Sequence, residues 1–297
     1  MEYLLLVIVA LSLGANFCIQ KLYQSRIKHL FHGAFIATFV SGFLVALLFL
    51  IITAFKPEFT WFSFGMAALY TSLCAFYSLL GYKIMSIGKV AVYTLFLMLG
   101  GMFLPFLYGV IFLNESISLF KILALVILIG ALIMPVLEKS EGDKPKNKLF
   151  YILCFIVFIA NGFVSITSKA HQINVNAVNS NSFMVWVAVC NLIISIIVLT
   201  VSFIKAGKTQ SGEIVKNVVT PKNIGILVLS AAVGNVGGFL IIYCAKTVDA
   251  SVLFPLVTCG AIIATAVFGR LFFKEKIGRY ALISVLLAVA ATVLFIF

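Results

Sequence analysis

Charged residues are scarce in this chain, and acidic residues are the scarcest. Of 297 residues, 10% are charged and only nine are Asp or Glu, whereas 63% are hydrophobic. Soluble domains are typically about 25% charged and about 45–50% apolar, so this composition excludes an ordinary soluble protein. The mean hydropathy of +1.21 instead indicates an integral membrane protein. The net charge of +12 does not predict a nucleic-acid partner, because Lys and Arg lie in short joints between apolar runs.

The chain also lacks the motifs that disulfide frameworks, metal sites and catalytic centres require. Its six cysteines all lie inside apolar runs without a Cys-x-x-Cys pair, so we expect them to be small apolar fillers. The three histidines, His29, His32 and His171, lie at segment ends, where a solvated role is expected. No nucleophile, base or metal constellation is visible at membrane depth. We therefore predict no enzymatic activity, no cofactor and no bound metal.

What the chain does contain is a series of long apolar runs. A helix needs about 20 apolar residues to cross a bilayer core of about 30 Å, and ten runs meet that length. The predicted helices are Tyr3–Gln20, His32–Ala54, Phe62–Tyr82, Val90–Leu113, Ser118–Leu137, Leu149–Ser168, Ser182–Ile204, Asn223–Ala245, Ser251–Phe273 and Gly278–Ile296. The longest polar joints, 138–148 and 205–222, are too short to hold a soluble domain. We thus expect an all-α integral membrane protein with ten transmembrane helices.

An internal repeat divides the chain into two halves. Residues 81–137 reappear as residues 241–297, shifted by about 160 positions. The landmarks that keep this register are Val92 and Val252, Gly100 and Gly260, Gly109 and Gly269, Phe112 and Phe272, Glu115 and Glu275, Ile117 and Ile277, and Ala131 and Ala291. We assign residues 1–138 to the first half, 139–148 to a linker and 149–297 to the second half. Five helices is an odd number, so the halves are predicted to be inverted in the membrane, which is typical of transporters.

Polar residues within the apolar runs are the candidates for a substrate site. The first and sixth predicted helices each carry a polar column at i, i+4 and i+8 spacing, which places its members on one helix face. The columns are Ser12, Asn16 and Gln20, and Asn161, Ser165 and Lys169. We expect the columns to occupy matched positions in the two halves, where they either line a cavity or form hydrogen bonds between helices. The predicted substrate-binding residues are Asn16, Gln20, Tyr77, Tyr82, Tyr93, Asn161, Ser165, Asn235, Tyr243 and Thr258.

The two halves share a short motif that resembles a known family. Leu113-Asn114-Glu115-Ser116-Ile117 and Phe273-Lys274-Glu275-Lys276-Ile277 look like variants of the Leu-Gly-Glu-Arg/Lys-Leu element of EamA-type members of the drug/metabolite transporter superfamily. Asn114 and Lys274 replace the glycine of that element. The resemblance covers nearly the whole chain. It implies a secondary transporter whose central cavity is lined by helices 1, 3, 4, 6, 8 and 9, with substrates that range over amino acids, sugars, nucleotide-linked metabolites, quaternary amines and drugs.

The positions of the acidic residues narrow the expected substrate. All nine fall at helix ends or in joints of the predicted spans, so no carboxylate is expected at the bilayer midplane. We predict a transporter of a neutral or zwitterionic, amino-acid-like metabolite in the cytoplasmic membrane. The alternatives are an organic cation or drug held by tyrosine faces, and an anion drawn to Lys21, Lys169 and Lys246. A non-transporting sensor or assembly component is the alternative of another class. The expected partners are a small-molecule substrate and membrane lipid, and the protein is expected to be a monomer or weak homodimer.

The distribution of Lys and Arg predicts the orientation. Of 21 such residues, 17 lie in or beside the joints that follow odd-numbered helices. Cytoplasmic loops are enriched in Lys and Arg, so these joints are predicted to be cytoplasmic and both termini outside. The family resemblance implies cytoplasmic termini instead, and we follow the charges.

Overall fold

The chain folds into a bundle of α-helices over the residues that the structure describes. The computed structural model describes residues 2–87, 90–137, 148–273 and 278–295. Within these ranges there are ten helical elements and no strand. They are α1 (Glu2–Gln24), α2 (Leu30–Ile52), α3 (Trp61–Ile87), α4 (Val90–Phe112), α5 (Leu119–Leu137), α6 (Lys148–Ile173), α7 (Ser180–Val218), α8 (Pro221–Cys244), α9 (Ala250–Phe273) and α10 (Arg279–Phe295).

Eight of these helices, all except α5 and α10, are long and apolar enough to cross a membrane. The apolar parts of the other two are shorter over the described residues, at Leu119–Met134 and Leu282–Phe295. Large apolar side chains are exposed along the outside of the bundle, as at Leu4, Val7 and Leu11 on one stripe of α1. Such an exposed apolar surface is costly in water and matches a lipid environment. The chain is therefore an all-α, multi-pass membrane protein.

The helices begin close to their predicted starts, but four of them, α1, α3, α6 and α7, extend past their predicted ends, α3 as far as Ile87. α1 continues to Gln24 and α6 to Ile173, so that Lys169 lies within a helix. The polar stretch 205–222, predicted as a joint, is mostly helical, because α7 continues to Val218 after a break at Gly207. Gly207 has φ 73 and ψ 168, a conformation that glycine adopts without steric cost. Beyond the break, Ile214 and Val218 are buried, so this segment is an amphipathic helix that packs on the bundle.

Helix packing follows a regular pattern between the two halves. α1 packs against α8 and α9, whereas α6 packs against α3 and α4. The two halves are joined by direct contacts of α2 with α7, α4 with α9, and α5 with α10. Glycines allow the closest approaches, since a Cβ atom there would meet the neighbouring helix. These contacts are Gly14 with Ala264, Gly260 with Ala10, Gly162 with Leu104, and Gly100 with the backbone of Phe158.

Hydrogen bonds tie the joints together at each end of the bundle. At one end, which we name the basic end, Lys28 N donates to Asn217 Oδ1 (2.8 Å), which links the α1–α2 joint to the end of α7. At the opposite end, Trp186 Nε1 donates to the Glu58 carbonyl oxygen (2.8 Å) and Asn179 N donates to Glu58 Oε2 (3.1 Å). These bonds link the α2–α3 joint to the α6–α7 joint. Successive membrane-spanning helices run in opposite directions, so alternate joints are expected on the same side of the membrane. The joints in contact here are ones expected on the same side.

Candidate functional site

The predicted residue Asn16 lies in the interface between α1 and α8. Its Oδ1 atom accepts a hydrogen bond from Ser230 Oγ (2.7 Å). A Cβ atom on Gly234 would lie within 3.2 Å of the Asn16 side chain, so the absence of a side chain there makes room for the amide. Gln20 lies one turn further towards the basic end and is exposed.

Asn161 and Ser165 lie in a different interface, between α6 and α4. Asn161 Nδ2 donates to the Leu97 carbonyl oxygen (2.8 Å), and Ser165 Oγ donates to the Gly101 carbonyl oxygen (3.0 Å). Pro105 has no N–H to donate to the Gly101 oxygen four residues earlier, so Ser165 supplies the missing donor. The polar groups of α6 therefore hydrogen-bond the backbone of α4.

Tyr77 and Tyr93 lie beside this interface. Both pack against a buried cluster between α3, α4 and α6, which includes Leu97 among its partly buried members. The structure thus brings Tyr77, Tyr93, Asn161 and Ser165 into one region, which we name the α3–α4–α6 region. Tyr82 is placed on α3, but its side chain lies outside the described part of the chain.

The remaining predicted residues are dispersed. Asn235 Nδ2 donates to Ser41 Oγ and to the Ala231 carbonyl oxygen (2.7 Å each), which links α8 to α2. Thr258 Oγ1 donates to the Phe254 carbonyl oxygen of its own helix (2.9 Å). Tyr243 is 53% exposed. These three residues therefore do not share the environment of Asn16 or of the α3–α4–α6 region.

The two polar columns contact different helices, so the structure does not place them in equivalent environments. Gly14 contacts α9 as Gly162 contacts α4, which makes these two glycines counterparts in α1 and α6. This correspondence pairs Asn16 with Val164, one residue away from Ser165. One residue turns a side chain by about 100° around a helix. Asn16 therefore contacts Ser230 of α8, whereas Asn161 and Ser165 contact the backbone of α4.

His171 also departs from its predicted solvated role, because it is fully buried near the opposite end. Its Nε2 atom lies 2.9 Å from Ser63 Oγ, and its Nδ1 atom lies 2.9 Å from Gln172 Nε2. The imidazole stacks on Phe183 with ring centroids 3.7 Å apart. Both ring nitrogens have partners, so the residue joins α6, α3 and α7 in a satisfied polar network.

The sequence marks Glu115 as a landmark of the repeat but does not indicate what its side chain does. Its Oε1 and Oε2 atoms accept hydrogen bonds from Ala250 N (2.7 Å) and Ser251 N (2.8 Å), so the carboxylate caps the beginning of α9. A Cβ atom on Gly109 would overlap the carboxylate. Asn114 has φ 53, a left-handed conformation that suits glycine and, after it, asparagine. The repeated spacing of glycine and glutamate was the sequence signal for this cap.

Lys169 completes this arrangement at the opposite end. It is 5% exposed, and its Nζ atom donates to the Val248 carbonyl oxygen (2.6 Å), two residues before α9 begins. The lysine that the sequence suggested for anion attraction is therefore engaged with the α8–α9 joint.

The described residues form no metal site, and the surface groove found in this part of the chain lies away from the predicted positions. No group of three or more His, Cys, Asp and Glu side chains in this part of the chain could hold a metal ion. A surface groove of 560 Å³ lies at the break in α7, lined by Thr200, Phe203, Ile204, Gly207 and Ser211. It contains none of the predicted site residues.

Comparisons with known proteins extend the description of the fold. No protein-family model matches the chain, and no curated protein sequence matches it. One similar solved structure, described simply as the crystal structure of a protein, superposes with a TM-score of 0.66 at 13% sequence identity. The match covers 99% of this chain and 97% of that one. The likeness therefore extends over the whole helical fold, and at this identity it shows the fold alone.

Proposed function

We propose that this protein is a secondary transporter that moves a small neutral or zwitterionic metabolite across the cytoplasmic membrane by alternating access. We also propose that it is an EamA-type member of the drug/metabolite transporter superfamily, which its sequence resembles. The proposed transporter has ten transmembrane spans, so α5 and α10 cross the membrane beside the eight longer helices.

The correspondence of contacts between the halves carries the proposal. The contact of Gly14 with Ala264 has its counterpart in that of Gly162 with Leu104, and Gly260 with Ala10 has its counterpart in Gly100 with Phe158. Each α1–α9 contact is thus repeated between α6 and α4 at corresponding positions. Counterparts separated by five helices run in opposite directions, so these contacts support an inverted repeat. Inverted repeats build transporters that open alternately to the two faces around a site near the midplane.

The polar groups favour a substrate that needs hydrogen bonds rather than a counter-ion. Asn161 and Ser165 with Tyr77 and Tyr93 provide amide, hydroxyl and aromatic groups in an otherwise apolar region. A few polar groups on apolar walls are typical of small-molecule sites. The presence of two tyrosines beside one buried cluster also supports the second candidate, an organic cation bound by aromatic faces.

A ligand-stabilisation screen of the purified protein tests the substrate class. Amino acids and related zwitterions are expected to raise the melting temperature, whereas inorganic anions are not, because bound ligand stabilises the folded state. If quaternary amines rather than amino acids raise the melting temperature, the second candidate is favoured. Stabilisation by no class, together with no uptake of the panel in proteoliposomes, would favour a sensor or assembly role.

A variant pair tests the site itself. Asn161→Leu is expected to abolish uptake of the stabilising compound while the protein remains folded and monodisperse. Thr292→Val is the matched control, since it removes a side-chain hydrogen bond within α10. Unchanged uptake by Asn161→Leu would remove the α3–α4–α6 region from the proposed site.

A further inference from the structure

Counterpart positions in α1 and α6 differ in burial at the two ends of the bundle. The correspondence of Gly14 with Gly162 pairs Gln20 with Ser168 and Lys21 with Lys169. Gln20 and Lys21 are exposed near the basic end. Ser168 and Lys169, near the opposite end, are only 2% and 5% exposed. These two positions are therefore covered at the end of α6 and exposed at the end of α1.

The beginnings of α4 and α9 show the same difference. The correspondence of Gly100 with Gly260 pairs residues 93–97 of α4 with residues 253–257 of α9. All five positions of α9 are buried at the opposite end, whereas all five positions of α4 are only half-buried at the basic end. Further along these helices the difference reverses at Met102, which is buried where its counterpart Ile262 is half-buried. These two pairs of helices thus indicate tight packing around α6 and α9 at the opposite end and looser packing around the compared positions of α1 and α4 at the basic end.

The tightly packed end also carries contacts that fix the start of α9. The Glu115 carboxylate accepts from the N–H groups of Ala250 and Ser251, and Lys169 Nζ donates to the Val248 oxygen. We name these five residues the α9 closure. Glu115 belongs to the first half of the chain and the other four to the second, so the closure holds the two halves together where α6, α8 and α9 meet.

We propose that this conformation is closed at the opposite end by the α9 closure and open at the basic end over an access surface on α1 and α4. The access surface comprises Phe17, Gln20, Lys21, Tyr93 and Phe96. This inference rests on the proposed transport function, because exchange of two inverted halves exchanges the environments of counterpart residues. In the other state the access surface becomes buried as Ser168 and Lys169 are here, and the α9 closure opens. If the basic end is cytoplasmic, the present state faces the cytoplasm.

Thiol labelling of matched positions tests which end is open. The variants are Gln20→Cys and Ser168→Cys, and labelling above that of the parent protein is measured, since five of its six cysteines are buried and Cys74 is half-buried. Gln20→Cys is expected to react at least about tenfold faster than Ser168→Cys, because a buried thiol reacts only after local opening. Equal rates, or the reverse order, would overturn the assignment. Measuring the labelling rates needs no substrate, so this test can fail independently of the test for transport.

A second substitution tests the α9 closure. Glu115→Gln replaces one acceptor oxygen by an amide that cannot accept from the backbone, and it is added to each cysteine variant. Labelling of Ser168→Cys is expected to rise while that of Gln20→Cys falls, because one equilibrium governs both ends. Glu213→Gln, at an exposed acid of α7, is the matched control and should change neither rate.

Two outcomes would contradict a closure that controls access. A rise at both positions would mean that the bonds only stabilise the fold, and no change at either position would mean that they do not hold the end closed. If Glu115→Gln does not yield monodisperse protein, Lys169→Met removes the bond to the Val248 oxygen alone and is expected to shift the two rates in the same opposite directions.

Discussion

At the scale of single residues, the hydroxyl of Ser165 has a definable task. It donates to the Gly101 carbonyl oxygen (3.0 Å), which has no helical donor because Pro105 lacks an N–H. We expect Ser165→Ala to destabilise the protein by about 1 kcal/mol, the usual order for a hydrogen bond between membrane helices. The free energy of unfolding in detergent or lipid micelles measures this loss.

A double-mutant cycle separates this task from general packing. Pro105→Ala restores a backbone N–H that can donate to the Gly101 oxygen, so Ser165→Ala should cost much less in that background. The coupling energy between the two positions is the measured quantity. Additive effects of the two substitutions would mean that the hydroxyl does not serve the carbonyl freed by the proline.

The residue scale is also where the sequence was least informative about the site. Spacing places Ser12, Asn16 and Gln20 on one face of α1, and it places the α6 column on one face of α6. Spacing cannot tell which neighbouring helix that face contacts. The partner depends on the rotation of α1 and α6 in the bundle, which the glycine contacts set. Because the two columns differ by one residue in their position along the helix, Asn16 contacts α8 and Asn161 contacts α4.

At the scale of helices, the closest approach between α4 and α6 depends on Gly100. A Cβ atom there would overlap the backbone of Phe158, which cannot move away as a flexible side chain can. Gly100→Ala is expected to destabilise the protein by about 1–3 kcal/mol through overpacking. Thermal unfolding of the purified variant measures the effect.

Gly238 in α8 provides the control for this prediction. An added Cβ atom would meet nothing within 4 Å, so Gly238→Ala is expected to change stability by no more than about 0.5 kcal/mol. A destabilisation by Gly238→Ala equal to that by Gly100→Ala would show that loss of glycine flexibility, rather than close packing, determines the cost.

Apolar length predicted the existence and the beginnings of the helices, since polar joints interrupt the runs sharply. It failed where amphipathic sequence continues a helix beyond the apolar run. In α7, Ile214 and Val218 are the buried residues among those described beyond Gly207, so the composition of this stretch is that of a polar joint. In α6 the extension carries Lys169 and His171, whose burial depends on partners from α3, α7 and the α8–α9 joint.

At the scale of the whole molecule, the distribution of charge predicts the orientation. The basic end carries the joint with Arg26 and Lys28, whereas the opposite end carries the joints of Glu58 and Asp249. We expect the basic end to be cytoplasmic and both termini to lie outside. Alkaline-phosphatase fused to the C-terminus should be active and a fluorescent protein fused there should be dark. The reverse pattern would refute the charge argument.

The placement of carboxylates in the molecule bears on how transport is driven. Five of the nine acidic residues are described, and these are Glu2, Glu58, Glu115, Glu213 and Asp249. Asp249 immediately precedes α9 and is exposed, and both oxygens of Glu115 already accept backbone N–H groups. None of the five stands within a helix at the bilayer midplane, where an exchanger would need an acid that binds either a proton or its substrate.

We therefore predict that a pH gradient alone does not drive accumulation. In proteoliposomes, uptake of the stabilising compound should follow its own gradient and should reach the same level with and without a pH gradient. Asp249→Asn should transport like the parent protein, because its carboxylate is exposed and lies outside the helix. Accumulation against a gradient on imposing a pH difference, lost in Asp249→Asn, would show that this acid carries the coupling proton and that the start of α9 is part of the transport path.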